Sequence, residues 1–134
     1  MPKLILIIDD DPDFRSAVRM ILEKEGFDCI EASSAYEGLR LSSEENPDLI
    51  LLDVMMEDIS SGFRFVKERR HLEDENAEAH IPVLIITSIE KIIDLDFKDR
   101  VKDILLSIDD FIDKPVTPKK LIAKINDMVF NDAY

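Results

Sequence analysis

Residues 4–11 read LILIIDDD, an aliphatic run from Leu4 to Ile8 that stops abruptly at Asp9, Asp10 and Asp11. Five successive Ile and Leu residues with no polar alternation fit a strand buried on both faces, as in a parallel sheet covered by helices on either side. Outward from this stretch, Leu49–Leu52 and Pro82–Ile86 have the same character, and Asp28–Ala32 and Asp110–Asp113 are weaker strand candidates. Helical patterns run between them. Phe14, Ala17, Val18, Ile21 and Leu22 recur at i, i+3, i+4, i+7 and i+8, with Pro12 suited to a first helical turn and Gly26 placed to end the helix. Leu121, Ile122, Ile125, Met128 and Val129 make a similar stripe after Pro118, and Val101, Ile104, Leu105 and Ile108 make another. Ala35–Glu45 and Phe63 to about Leu72 are two more helices with less clean stripes. Five strands alternating with five helices predict a doubly wound α/β fold with a five-stranded parallel sheet. Glu73–His80 (EDENAEAH) reads as a frayed helix end or an inserted loop, and its acids as solvated.

The 134 residues carry 30 Asp+Glu against 17 Lys+Arg, a net charge of -13, and 46% are hydrophobic. A chain of this length forms one domain and buries a core without a disulfide or structural metal. The single cysteine, Cys29, has no internal partner and fits a reducing, cytoplasmic compartment as a small buried apolar residue. No apolar run approaches a membrane span, and the negative surplus argues against direct binding to a phosphate backbone. Residues 1–90 hold 21 acids against 9 Lys+Arg, whereas residues 91–134 hold 9 against 8. The acidity therefore belongs to the first two-thirds, and its meaning depends on where the fold puts those acids.

Ligands of doubly wound sheets bind at the carboxyl ends of the strands. There the sequence places Asp9–Asp11 after the first strand, Asp53 after the third, Thr87 and Ser88 after the fourth, and Lys114–Pro115 after the fifth. Carboxylates about 4 Å apart repel by roughly 4 kcal/mol per pair at an effective dielectric near 20. Such a cluster calls for cations: Lys114 is one, and a hard divalent ion such as Mg²⁺ would be another. The bland alternative is an N-cap for the first helix, for which one acid suffices.

Together these residues resemble the response regulator receiver domain of two-component signalling, through the acid pair in LILIIDDDPD, the acid of PDLILLDVMM, the hydroxyl of IPVLIITS and the lysine of DDFIDKPV. The resemblance spans Lys3 to about Phe130 and implies a flavodoxin-like strand order 2-1-3-4-5 in a single receiver domain over residues 1–134; with four residues after Phe130 no output domain is expected in this sequence, which is either a free-standing receiver or a fragment of a longer protein. It further implies that Asp53 is the phosphoacceptor, charged from a histidine kinase or phosphotransfer protein. Asp9, Asp10, Asp53 and the backbone carbonyl of Met55 would hold Mg²⁺. Lys114 would pair with the phosphoryl group, Thr87 would turn toward it, and Phe111 would be the switch aromatic. The Lys114–Pro115 bond would be cis. The output would pass to a downstream protein partner through the face of the fourth helix, fifth strand and fifth helix. Such a protein is not an enzyme beyond catalysing its own phosphorylation and dephosphorylation.

Three features depart from the family pattern. Glu57 stands where proline is usual, Gly62 comes one residue late, and Thr87 and Lys114 lie 27 positions apart, more than is usual, which implies a long or shifted fourth helix. Two rival functions remain: a receiver-like docking module that takes no phosphate, and a haloacid-dehalogenase-type phosphatase, whose Asp-x-Asp pattern Asp9–Asp11 contains.

Overall fold

The computed structural model describes residues 2–53, 59–87 and 108–131. Along the chain run β1 (Leu4–Ile8), α1 (Pro12–Lys24), β2 (Asp28–Ala32), α2 (Ala35–Glu45), β3 (Leu49–Asp53), α3 (Ile59–Glu75), β4 (Val83–Thr87), β5 (Asp110–Asp113) and α4 (Pro118–Phe130). The strands form one parallel sheet in the order β2-β1-β3-β4-β5. This is the architecture and strand order expected from the sequence. The described residues hold four helices; the stripe from Val101 to Leu105 lies outside them, so α4 corresponds to the fifth helix of the sequence reading.

Alternate residues of each central strand serve opposite faces, which is why the runs contain no polar positions. Ile5, Ile7, Leu49, Leu51, Leu84 and Ile86 pack with Val18 and Leu22 of α1 and Leu121, Ile125 and Met128 of α4. Leu6, Ile8, Ile50, Leu52, Val83 and Ile85 pack with Phe65 and Val66 of α3. Each such side chain contributes about 1.5–3 kcal/mol by leaving water. On that second face α2 comes close: a Cβ at Gly38 would run into Ile8 Cδ1. The helix ends follow their local sequence. Asp11 caps α1 by accepting from the Asp13 N–H, and Gly26, at φ +92°, follows the C-cap residue Glu25. Cys29 is buried on β2, and burial pushes its thiol up to about 11.

The structure corrects three sequence expectations. β4 is one residue later than Pro82–Ile86 and includes Thr87, because the ladder pairs Asp53 with Ile86 and Thr87 with Asp113. Helix α3 runs from Ile59 to Glu75 rather than from Phe63 to about Leu72, so Gly62 is a buried helical residue and does not close the loop after Asp53. Glu73 is not solvated: only 7% of its side chain is exposed.

That buried acid belongs to a network beneath the amino ends of β4 and β5. Arg69, 1% exposed, donates to Ser42 Oγ at 3.0 Å, Glu78 Oε1 at 3.0 Å and the Ala79 carbonyl at 3.2 Å, with Glu73 Oε1 at 3.4 Å. Arg70 bridges Glu73 Oε2 at 2.8 Å and Asp109 Oδ2 at 2.7 Å. Glu73 also accepts the Ile81 N–H, Asp109 accepts the Val83 N–H, and His80 lies 3.1 Å from both carboxylates. Burial alone would raise Glu73, but the Ile81 N–H and Arg70 outweigh it and hold the carboxyl below its ordinary 4.5. His71 and His80 are exposed as the sequence suggests, yet His80 is engaged.

Candidate functional site

Register alone brings the site residues together. Ile8 pairs with Leu52, so Asp9 and Asp53, each one residue further on, stand side by side at the carboxyl ends of β1 and β3, the neighbours between which the strand order reverses. Asp53 in turn pairs with Ile86, which puts Thr87 one step beyond it, and Thr87 pairs with Asp113, which puts Lys114 one step further. The Lys114 N–H donates to the Thr87 carbonyl at 2.9 Å and joins the ends of β4 and β5. Lys114 Nζ then reaches back to Asp53 Oδ2 at 3.2 Å. The bond from Lys114 to Pro115 is cis.

The electrostatics of this edge are strained by like charge. Asp9 is 3% exposed, and burial pushes its carboxyl up from an ordinary 3.8 to about 6. The hydrogen bond from the Asp11 N–H opposes that shift; the charge of Asp53, a hydrogen bond with Asp53 and the charge of Asp10 reinforce it. The peptide of Asp9 is itself held. Its N–H donates to the Ala32 carbonyl, and Arg15 Nη1 donates to its carbonyl at 2.6 Å while Arg15 Nε pairs with Glu31. Thr87 is 3% exposed, and its Oγ1 finds no hydrogen-bond partner among the described residues. An unsatisfied buried hydroxyl costs on the order of 1–3 kcal/mol, so its presence here asks for a reason.

Asp9, Asp53, Thr87 and Lys114 thus converge as the sequence suggests. Asp10 is exposed beside the pair, and Asp11 is used as the helix cap. Met55, Glu57 and Ser88 lie outside the described residues. Phe111 sits on β5, 40% exposed, with its backbone one strand position before the buried Ile112. Among the described residues no three acids, imidazoles or thiols are grouped closely enough to hold a metal by themselves. The donor chemistry nevertheless fits a hard cation: two carboxylates in contact, one of them pushed well up by burial and, less, by that contact. Two residues escaped the sequence reading. Arg15 holds the Asp9 peptide, and Phe14 presents its ring to Lys114 Nζ at 5.9 Å from the centroid. Phe14 reads as one position of an amphipathic stripe, and only its place three residues after the acid cluster hinted at more.

The family profile of the response regulator receiver domain matches residues 5–126. The chain belongs to that family. As a receiver domain it is 36% identical over 125 residues to the phosphate regulon transcriptional regulatory protein PhoB of Escherichia coli, a match covering 93% of this chain and 51% of that protein. It is also similar to the alkaline phosphatase synthesis transcriptional regulatory protein PhoP of Bacillus subtilis, at 32% identity over 93% of this chain and 48% of that protein. The chain spans about half the length of these curated relatives. Among solved structures, the CheY-like receiver domain protein of Methanospirillum hungatei superimposes with a TM-score of 0.77 at 27% identity, covering 97% of this chain and 95% of that one. A receiver domain protein of Clostridium thermocellum gives 0.77 at 26%, covering 98% and 97%. Relatives of this receiver domain are signalling proteins rather than classical enzymes. No helix among the described residues is long and apolar enough to cross a membrane.

Proposed function

We propose that this receiver domain accepts a phosphoryl group on Asp53 from a phosphohistidine of a histidine kinase or phosphotransfer protein. A carboxylate oxygen of Asp53 forms the new bond to phosphorus as the phosphorus–nitrogen bond breaks, and the imidazole, protonated on its other ring nitrogen, departs with that electron pair as a neutral ring. The product is an acyl phosphate. Phosphoryl transfer asks for in-line positioning and spread charge more than for covalent help from the protein. The observation that carries the reading is the ion pair of Asp53 with Lys114 beside a buried hydroxyl, Thr87 Oγ1, that lacks a partner among the described residues. Lys114 pairs with the phosphoryl oxygens, and the Thr87 hydroxyl donates to one of them, which satisfies a group otherwise held at a cost.

Asp9 and Asp53, with Asp10 and the Met55 carbonyl, would hold Mg²⁺, which when bound supplies positive charge against the phosphoryl oxygens. Phosphorylation exchanges one carboxylate charge for a group carrying close to two. Thr87 moves toward that charge, and the change reaches the exposed edge at Phe111, where a downstream protein reads it. The relatives named as transcriptional regulators suggest a transcriptional output, delivered through a protein contact.

Incubation with phosphoramidate or acetyl phosphate and Mg²⁺, followed by intact-mass measurement, tests the reading. Gain of one phosphoryl group, lost in Asp53→Asn, supports it. Steady hydrolysis of phosphomonoesters dependent on Asp9 points to a phosphatase instead, and no gain from small donors or a cognate kinase leaves a docking module.

A further inference from the structure

Lysine is a compact charge on a stem with four rotatable bonds, and this one is 39% exposed on its side chain, so water competes for the ammonium. Its carboxylate partner is 11% exposed and fixed by the end of β3. A second contact that favours the rotamer bringing Nζ across from β5 to β3 would add to the pull of Asp53. The described contacts provide one such element. The Phe14 ring has its centroid 5.9 Å from Nζ, within the range over which an aromatic face attracts an ammonium. That ring is held in place: Phe14 lies in the first turn of α1, three residues after the cap Asp11, and packs against the core shared by α1 and α4.

We propose that Phe14 is a positioning residue for Lys114, holding its ammonium at the carboxyl edge of the sheet and turned toward Asp53. The chemistry of the ring suits the task better than a second carboxylate would. A carboxylate would hold Lys114 by hydrogen bonds, tie up its protons and repel an incoming phosphoryl group. An aromatic face attracts the cation through its quadrupole but offers no acceptor oxygen. All three N–H donors of Lys114 stay available for Asp53 before transfer and for phosphoryl oxygens after it, and the cation can slide between them over the same surface.

This inference rests on the proposed role of Lys114, and the test separates the two. With lysine labelled at Cε and Nζ, and Lys114 assigned through Lys114→Arg, the ε-methylene protons of Lys114 are expected upfield of other lysines from the ring current of Phe14. In Phe14→Leu they return to the ordinary position, and in Phe14→Tyr they stay upfield. Replacement of Phe14 by pentafluorophenylalanine keeps the ring in place but reverses its quadrupole, so it removes the attraction without opening the core. Phosphorylation by phosphoramidate with Mg²⁺ is then expected to slow about two- to fivefold in Phe14→Leu and in the fluorinated protein, and to hold in Phe14→Tyr. A parent protein that takes up phosphate at the same rate as the fluorinated one, or a Lys114 resonance indifferent to the ring, overturns the positioning role. A parent that takes up no phosphate defeats the proposed function, while the resonance still decides whether the ring holds the lysine.

Discussion

The two ends of the sheet use charge in opposite ways. At the amino ends of β4 and β5, Arg69, Arg70, Glu73, Glu78, His80 and Asp109 are matched against one another, and Glu73 is held below its ordinary range despite burial. At the carboxyl ends Asp9 and Asp53 face each other with one lysine between three strands, Asp9 is pushed up to about 6, and Thr87 Oγ1 has no partner among the described residues. One end is satisfied as it stands. At the other, burial and like charge hold Asp9 up and Thr87 Oγ1 has no partner among the described residues, which is the end where the proposed phosphoryl group would arrive. Proteins tolerate such local cost at functional sites because the rest of the fold over-determines the geometry.

Breaking the satisfied end has the largest expected effect. Arg69→Met removes a fully buried guanidinium and its bonds to Ser42, Glu78 and the Ala79 carbonyl, while Glu73 keeps Arg70 and the Ile81 N–H; a loss of about 3 kcal/mol is expected in urea denaturation, with phosphoryl uptake per folded molecule unchanged. Next comes the pH response, which differs in sign between the ends. Glu73 has a folded-state value below 4.5, so its contribution is present above that pH and is lost as pH falls through the lower value. Asp9 has a folded-state value of about 6, above its ordinary 3.8, so its contribution is complete below about 3.8 and is lost as pH rises through about 6. In a metal chelator at neutral pH, Asp9→Asn should therefore be more stable than the parent by about 1 kcal/mol, since a neutral amide avoids the cost of burying a charge there and the like charge of Asp53, and the difference should fade toward pH 4. A gain that persists at low pH would place its cause elsewhere.

Thr87→Val keeps the shape and removes a hydroxyl that has no partner among the described residues. Unphosphorylated protein should gain about 0.5–1 kcal/mol in thermal or chemical denaturation, and a loss would show that the hydroxyl is satisfied in the resting state. The smallest effect is expected away from both ends. Arg40 and Glu44 form an exposed i,i+4 pair on α2, and Arg40→Ala should stay within about 0.5 kcal/mol of the parent. An effect as large as that of Arg69→Met would show that ion pairing as such, rather than its burial, stabilises this fold.

These two ends also differ in how far they can be read without a structure. The carboxyl ends were legible because a strand buried on both faces is an unbroken aliphatic run, and a polar residue that ends such a run marks its edge. Ile8 followed by Asp9, and Leu52 followed by Asp53, carry both facts at once. The network was not legible, because Arg, Glu and His near a helix end look like a solvated surface until β4 and β5 are laid over them. A signal existed all the same. Arg69 follows Phe65 by four and Val66 by three, and Glu73 follows Arg69 by four, so both charges continue the buried stripe of α3. The extra length of α3 was missed for another reason: its first residues, Ile59 to Gly62, hold two serines and a glycine, which read as a loop.

The claim on which the rest depends is that Asp53, and no other acid at this edge, becomes an acyl phosphate. Protein treated with phosphoramidate and Mg²⁺ can be reduced with borohydride, which converts an aspartyl phosphate to homoserine, and then mapped by peptide mass. Homoserine at position 53 alone is the predicted result. Homoserine at position 9 or 10, or at none, would contradict it.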